Sequence, residues 1–151
     1  MVIATIGRSA ESESSGRFIG SWELVSYELR LASGTVLKPC GDHPIGRILY
    51  QRNGQMSAQL MRPAPAPFAS ADMLQARADE ADRAWRDYIG YWGTFTVDPK
   101  ARVVVHHIEG CWFPNWIGQK QTRSFRFSGD QLTLEADSPA WHATLIWRRI
   151  D

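Results

Sequence analysis

Between Gly90 and Ile150 the chain runs through five short segments in which apolar and polar residues alternate, each separated from the next by turn-forming residues. The segments are GYWGTFTVD, RVVVHHIEGCWF, GQKQTRSFRF, DQLTLEA and WHATLIWRRI, with turns at Asp98 to Lys100, Pro114 to Gly118, Gly129 to Asp130 and Ser138 to Pro139. A period of two sends alternate side chains to opposite faces of an extended strand. Connections this short join strands antiparallel, because a parallel pair needs a crossover of a dozen residues or more. The spacing therefore predicts an antiparallel meander over the second half of the chain.

The first half adds strands to that meander. In IGSWELVSYELRL, Val25, Tyr27, Leu29 and Leu31 share one side, and the change of phase between Leu24 and Val25 hints at a bulge. A loop, TVLKPCGDHPIG, leads to RILYQ and QMSAQLM, and the Asn53-Gly54 pair between these two alternating runs is a hairpin signal. The prolines of RPAPAPF end regular sheet, since they cannot donate to a ladder. Ser70 then reads as an N-cap with Asp72 in the first turn, and Leu74, Ala78, Ala81, Trp85, Tyr88 and Ile89 recur at helical spacing. The expectation is a mainly β chain: an antiparallel barrel of about eight strands, with one helix between the early strands and the later meander. Eight strands enclose an interior just wide enough for side chains or one small ligand; a sandwich fits the same pattern. Residues 1–17, polar and rich in Ser and Glu, read as a flexible tail, and 18–151 as a single domain.

Composition narrows the partners. With 17 Lys and Arg against 16 Asp and Glu, a net charge of +1 supplies no field to attract nucleic acid or anionic lipid. No apolar run approaches the ~20 residues that span a bilayer, so no membrane segment is expected. The opening MVIATIGRSAESESSGR has no basic head followed by an apolar block, which makes the cytoplasm the expected location. Cys40 and Cys111 lack CxxC spacing and read as free thiols. Seven Trp, four Tyr and six Phe supply large rings for a core and for a pocket wall.

On the strand through Val103 to Phe113, alternation puts His107 with Val105, Glu109 and Cys111, and His106 with Val104, Ile108, Gly110 and Trp112. On the next strand Gln119, Gln121, Arg123, Phe125 and Phe127 share a face. Pairing across that hairpin could bring Arg123 to Glu109 or His107, and such a cluster could hold a carbonyl or enolate oxygen; a cross-strand ion pair in solvent is the plainer reading. His106, His107, Glu109 and Arg123 are therefore the candidate catalytic residues. Tyr91, Trp92, Phe95, Trp112, Asn115, Trp116 and Trp147 are the candidate binding residues. His43, His106, His107 and His142 have no spacing with acidic residues typical of a metal site, and no nucleotide-binding or nucleophile motif appears, so no metal and no cofactor are expected.

Taken in order, GSWELVSYELR, HPIGRILYQRNGQMSAQLMR, YIGYWGTFTVD, VVHHIEGCWFPNWIGQKQTRSFRFSGDQLTL and LIWRR resemble the bacterial and fungal lipocalin-like domain family from about Phe18 to Arg149. The resemblance implies a small β-barrel with a central cavity. It maps family motif positions onto His106, Glu109, Pro114, Asn115, Trp116, Gly118, Arg123, Tyr91 and Gly93; Cys111 departs from the small polar residue frequent there. Small barrels of this kind in natural-product pathways act as cofactor-free cyclases, isomerases or binding proteins. Two readings follow. The first is a cofactor-free isomerase or cyclase acting on an apolar, oxygenated intermediate, with His106 or His107 as proton shuttle, Arg123 as anion stabiliser and Glu109 as its orienter. The alternative is a non-catalytic carrier of a hydrophobic small molecule. An exposed strand edge or Trp patch could also support a homodimer.

Overall fold

The computed structural model describes residues 10–151. The described chain runs α1 (Ala10–Phe18), β1 (Gly20–Leu31), β2 (Val36–Leu37), β3 (Ile45–Tyr50), β4 (Gln55–Met61), α2 (Ala78–Arg86), β5 (Tyr88–Asp98), β6 (Val103–Cys111), β7 (Lys120–Ser128), β8 (Gln131–Asp137) and β9 (Trp141–Arg149). Single 3-10 turns cover Met73–Gln75 and Pro114–Trp116. Eight of the strands form one antiparallel sheet in the order β1-β3-β4-β5-β6-β7-β8-β9, which closes because β9 pairs back onto β1, from Trp22 against Arg149 to Leu31 against Trp141. The two-residue β2 hangs on the far end of β1 as an extra strand. The barrel is thus closed rather than a sandwich, and closure leaves no long free edge.

The local signals explain much of this. The phase change in β1 is a bulge between Leu24 and Ser26 in its pairing with β9. Trp22 and Leu24 face inward before it, and Tyr27 and Leu29 after it. The β3–β4 hairpin turns through Asn53 and Gly54, with Gly54 N–H donating to Gln51 O at 3.0 Å and Gly54 at φ 85°. That is a three-residue loop with glycine in the left-handed position. On β7 the alternation is strict: Gln121, Arg123, Phe125 and Phe127 are half-buried, while Thr122, Ser124 and Arg126 are exposed.

Three expectations are corrected. Residues 1–9 of the expected tail lie outside the described residues, but residues 10–18 form α1. Phe18, wholly buried, closes one end of the barrel by packing edge-on against Tyr50, Phe125 and Phe127 at centroid distances of 5.2, 4.9 and 5.0 Å. The helix C-terminus is fixed by one indole and one cation: the Trp22 indole donates to Phe18 O at 2.9 Å, and Arg149 donates to Ile19 O at 2.8 Å and to Arg17 O.

The single helix expected from Ser70 to Ile89 is broken. Asp72 caps the 3-10 turn, α2 covers only Ala78–Arg86, and Tyr88 and Ile89 belong to β5, paired with Met61 and Leu60. The apolar stripe proved uninformative because it rests on residues that remain outside, Leu74 at 81% exposure and Trp85 at 46%. What is buried in α2 is Glu80, whose carboxylate accepts from Arg77 N–H at 3.1 Å and from Ala69 N–H at 2.9 Å. It thereby starts the helix and ties the proline-rich segment to it.

Third, Glu109 is an extra residue in the β5–β6 ladder, where Trp92 pairs with Gly110 and Gly93 with Ile108. A bulge reverses the faces beyond it. Gly110 therefore turns outward beneath Trp92, and Cys111 turns inward against the core instead of sharing a face with His107. Both cysteines are free. Among the described residues no helix is long and apolar enough to cross a membrane.

Candidate functional site: the barrel cavity

Along β7, Phe125 and Phe127 point to the end sealed by α1, and Gln121 and Arg123 lie toward the other end. There the barrel holds a cavity of about 260 Å³. Its wall is mostly apolar: Leu29 of β1, Ile48 of β3, Leu60 of β4, Ile89 of β5, Leu134 and Ala136 of β8, and Trp141, Ala143, Leu145 and Trp147 of β9. Four polar side chains interrupt it, Tyr27, Tyr91, Gln121 and Arg123, and Trp116 from the β6–β7 connection completes the rim. Trp116 belongs to a chain of rings. Tyr91 lies 6.4 Å from Trp116, Trp116 5.4 Å from Trp112, and Trp112 5.8 Å from Trp85 of α2. The β6–β7 connection at the rim and α2 are thus joined by aromatic packing.

Behind the polar wall sits His106, with no solvent exposure. Its Nε2 is hydrogen-bonded to the Tyr50 hydroxyl at 2.8 Å and its Nδ1 to the Tyr91 hydroxyl at 3.0 Å. Burial, reinforced by the Arg123 cation, lowers its pKa to about 3, so the ring is neutral at ordinary pH. Burial likewise raises both partner phenols, Tyr50 furthest, and brings Tyr27 up to about 12. Among the described residues Arg123 is the one charge on the cavity wall. Its Nη1 donates to Thr122 O at 3.2 Å and, at a long 3.4 Å, to Gln121 Oε1. Among the described residues it pairs with no carboxylate.

The expected cluster of His107, Glu109 and Arg123 does not form. The β6–β7 register sets Arg123 opposite Val104 and Gln121 opposite His106, all facing inward. His107 faces out, bonded to Thr96 Oγ1 at 3.0 Å, and Glu109 is exposed on the bulge. Arg123 therefore shares the interior with the other histidine, whose pKa its charge helps to lower. Of the candidate binding residues, Tyr91, Trp116 and Trp147 line the cavity, and Phe95 packs in the core 4.8 Å from Tyr50. Trp112 supports Trp116, whereas Trp92, 58% exposed, and Asn115 stand outside. Sequence reasoning missed Tyr50, Tyr27 and Gln121 as site residues. The signals were present: Tyr50 alternates with buried Ile48, Tyr27 with Leu29, and Gln121 with Arg123.

Three similarities to known proteins were found. The profile of the lipocalin-like domain matches residues 19–150. The 4′-hydroxy-3′-methoxypropiophenone carrier protein ppsC of Aspergillus oryzae is 35% identical over 107 residues, 63% of this chain and 96% of that protein. A crystal structure of a mutant of the fluorescent protein UnaG superposes with a TM-score of 0.42 at 13% identity, over 88% of this chain and 96% of that one.

Proposed function

The chain belongs to the lipocalin-like domain family, and on that premise we propose that it is a carrier which holds one small, mostly apolar, oxygen-bearing molecule in its barrel. The observation that carries the proposal is Arg123, a guanidinium with no carboxylate partner among the described residues, set in a mostly apolar wall. A partly desolvated cation is stabilised by an acceptor oxygen, and charge-assisted bonds are the strong ones. Apolar walls with a few placed polar groups are the usual make-up of a ligand pocket. At roughly 30 Å³ per water the cavity takes about nine waters, the room needed by a molecule of one or two rings. The substance in the name of the Aspergillus relative, an aryl ketone with a phenol and a methoxy group, fits that description and supplies a natural probe. A cytoplasmic setting suits the two free thiols.

One observation favours a second reading, a cofactor-free isomerase or cyclase. Tyr91 stands at the cavity wall with His106 and Tyr50 in line behind it, a path along which a proton could move to and from a bound molecule. The low basicity of His106 argues against it, since a base near pKa 3 gains little from abstracting a proton at neutral pH. Incubation separates the two readings. With 4′-hydroxy-3′-methoxypropiophenone, tryptophan fluorescence should be quenched on binding and the ketone should be recovered unchanged. A rearranged product in chromatography of the extract would overturn the carrier reading in favour of the enzyme. Absence of any quenching or binding would overturn both.

A further inference from the structure

We infer that Tyr50 fixes the proton of His106 on Nδ1, and that Tyr91 in consequence offers the cavity a free O–H donor which selects a ligand with an acceptor oxygen, such as a carbonyl. This rests on the cavity being the binding site, and it adds the direction in which the hydrogen bonds run.

A neutral imidazole has one N–H donor and one bare acceptor nitrogen, and a phenol has one proton to donate. Tyr50 is 1% exposed, and its hydroxyl has His106 Nε2 as its partner among the described residues. If Nε2 carried the proton, the Tyr50 oxygen would accept it and the phenolic O–H would be buried with no acceptor. A buried donor left unmade forfeits its hydration for nothing, a penalty that weights the two tautomers by about fivefold or more. Tyr50 therefore donates to Nε2, which leaves the ring proton on Nδ1. The Nδ1–H donates to the Tyr91 oxygen 3.0 Å away. Tyr91 is not trapped as Tyr50 is, because it lines the cavity. With an oxygen lone pair occupied by Nδ1–H, its own proton is free to point inward. The same wall holds the Arg123 guanidinium, which can only donate. Donors outnumber acceptors on this wall, and a bound molecule restores the balance by bringing acceptor atoms, of which a carbonyl oxygen is one. Tyr50, which does not line the cavity, is in this sense a positioning residue.

Ring ¹⁵N spectra of the histidines in the wild-type protein near neutral pH test the tautomer, with His106→Gln assigning the resonance. The expected result is a protonated, pyrrole-like Nδ1 and a bare, pyridine-like Nε2 for His106; the reverse pattern, or a doubly protonated ring, overturns the inference. In Tyr50→Phe the Nδ1–H tautomer should lose its excess, and an unchanged spectrum would contradict the role given to Tyr50. Two probes test selection: propiophenone, and propylbenzene, which lacks the ketone oxygen. Tyr91→Phe should weaken propiophenone about threefold to tenfold and leave propylbenzene within twofold. Equal loss for both would mean that Tyr91 only packs. If neither probe binds the folded wild type, the carrier reading fails, and the spectra still decide where the His106 proton sits.

Discussion

His106 is where burial and chemistry meet most sharply. Its unfolded ring would titrate near pH 6.5 and its folded ring near 3. Between those values the unfolded chain binds the extra proton, so stability is complete above about pH 6.5 and falls as the pH drops toward 3. The slope approaches the ~1.4 kcal/mol per pH unit of one proton. Urea unfolding of wild type and His106→Gln from pH 7 to 4 should show the variant flatter by about that slope; parallel curves would mean that His106 is not held neutral. Taking the difference also removes His142, whose pKa is raised by Asp137 and which acts in the opposite sense. At this scale the sequence was legible where alternation was unbroken. The grouping of Gln121, Arg123, Phe125 and Phe127 on one face of β7 followed directly from GQKQTRSFRF, but which face turns inward did not, and Arg123 read more plainly as half of a solvent ion pair. The partner of Arg123 was not legible, because the register of one strand against the next is a matter of pairing, which a period of two does not report.

Among the elements, β5 and β6 meet at a point where a side chain is forbidden. A Cβ on Gly93 would come within 1.8 Å of His107 O, a backbone atom held by the bulge at Glu109. A Cβ on Gly110 would meet the Trp92 ring at 2.1 Å, but that ring is 58% exposed and can swing into solvent. Gly93→Ala should therefore destabilise by about 3 kcal/mol or more and Gly110→Ala by about 1 or less, measured by thermal or urea unfolding. Equal effects would mean that the bulge yields as readily as a surface ring. The bulge itself escaped the sequence because one extra residue in VVHHIEGC leaves no mark on composition, yet it sends Cys111 to the other face. Helix α1 escaped for a related reason. Its polar stretch has no periodic apolar face, and its anchor is a single ring, Phe18, beyond the Ser and Glu run. Phe18→Ala empties a site ringed by Tyr50, Phe125 and Phe127, and a loss of about 3–5 kcal/mol is expected. A loss below 1 kcal/mol would show that the helix does not seal the barrel.

For the whole molecule, the division of the barrel into a plugged end and a hollow end is what makes it a container. Phe18 of α1, packed on Tyr50, Phe125 and Phe127, fills the first, and shorter aliphatic residues of β8 and β9 leave the second open. Strand count and the Asn53-Gly54 hairpin were readable in advance, whereas closure depends on β1 meeting β9, more than a hundred residues apart, and no local signal encodes it. Binding at the hollow end should stabilise the folded state by about 2.7 kcal/mol at a ligand concentration one hundred times Kd, which appears as a rise in Tm with added ketone. A Tm that does not move at saturation would separate the cavity from the ligand.

The proposed hold of Arg123 on an oxygen of an apolar guest is read by calorimetric titration of 4′-hydroxy-3′-methoxypropiophenone into wild type and Arg123→Met. One site per chain is expected, weakened by about tenfold to one hundredfold in the variant, with both proteins equally folded. Unchanged affinity in Arg123→Met, or no heat of binding in the wild type, would contradict it.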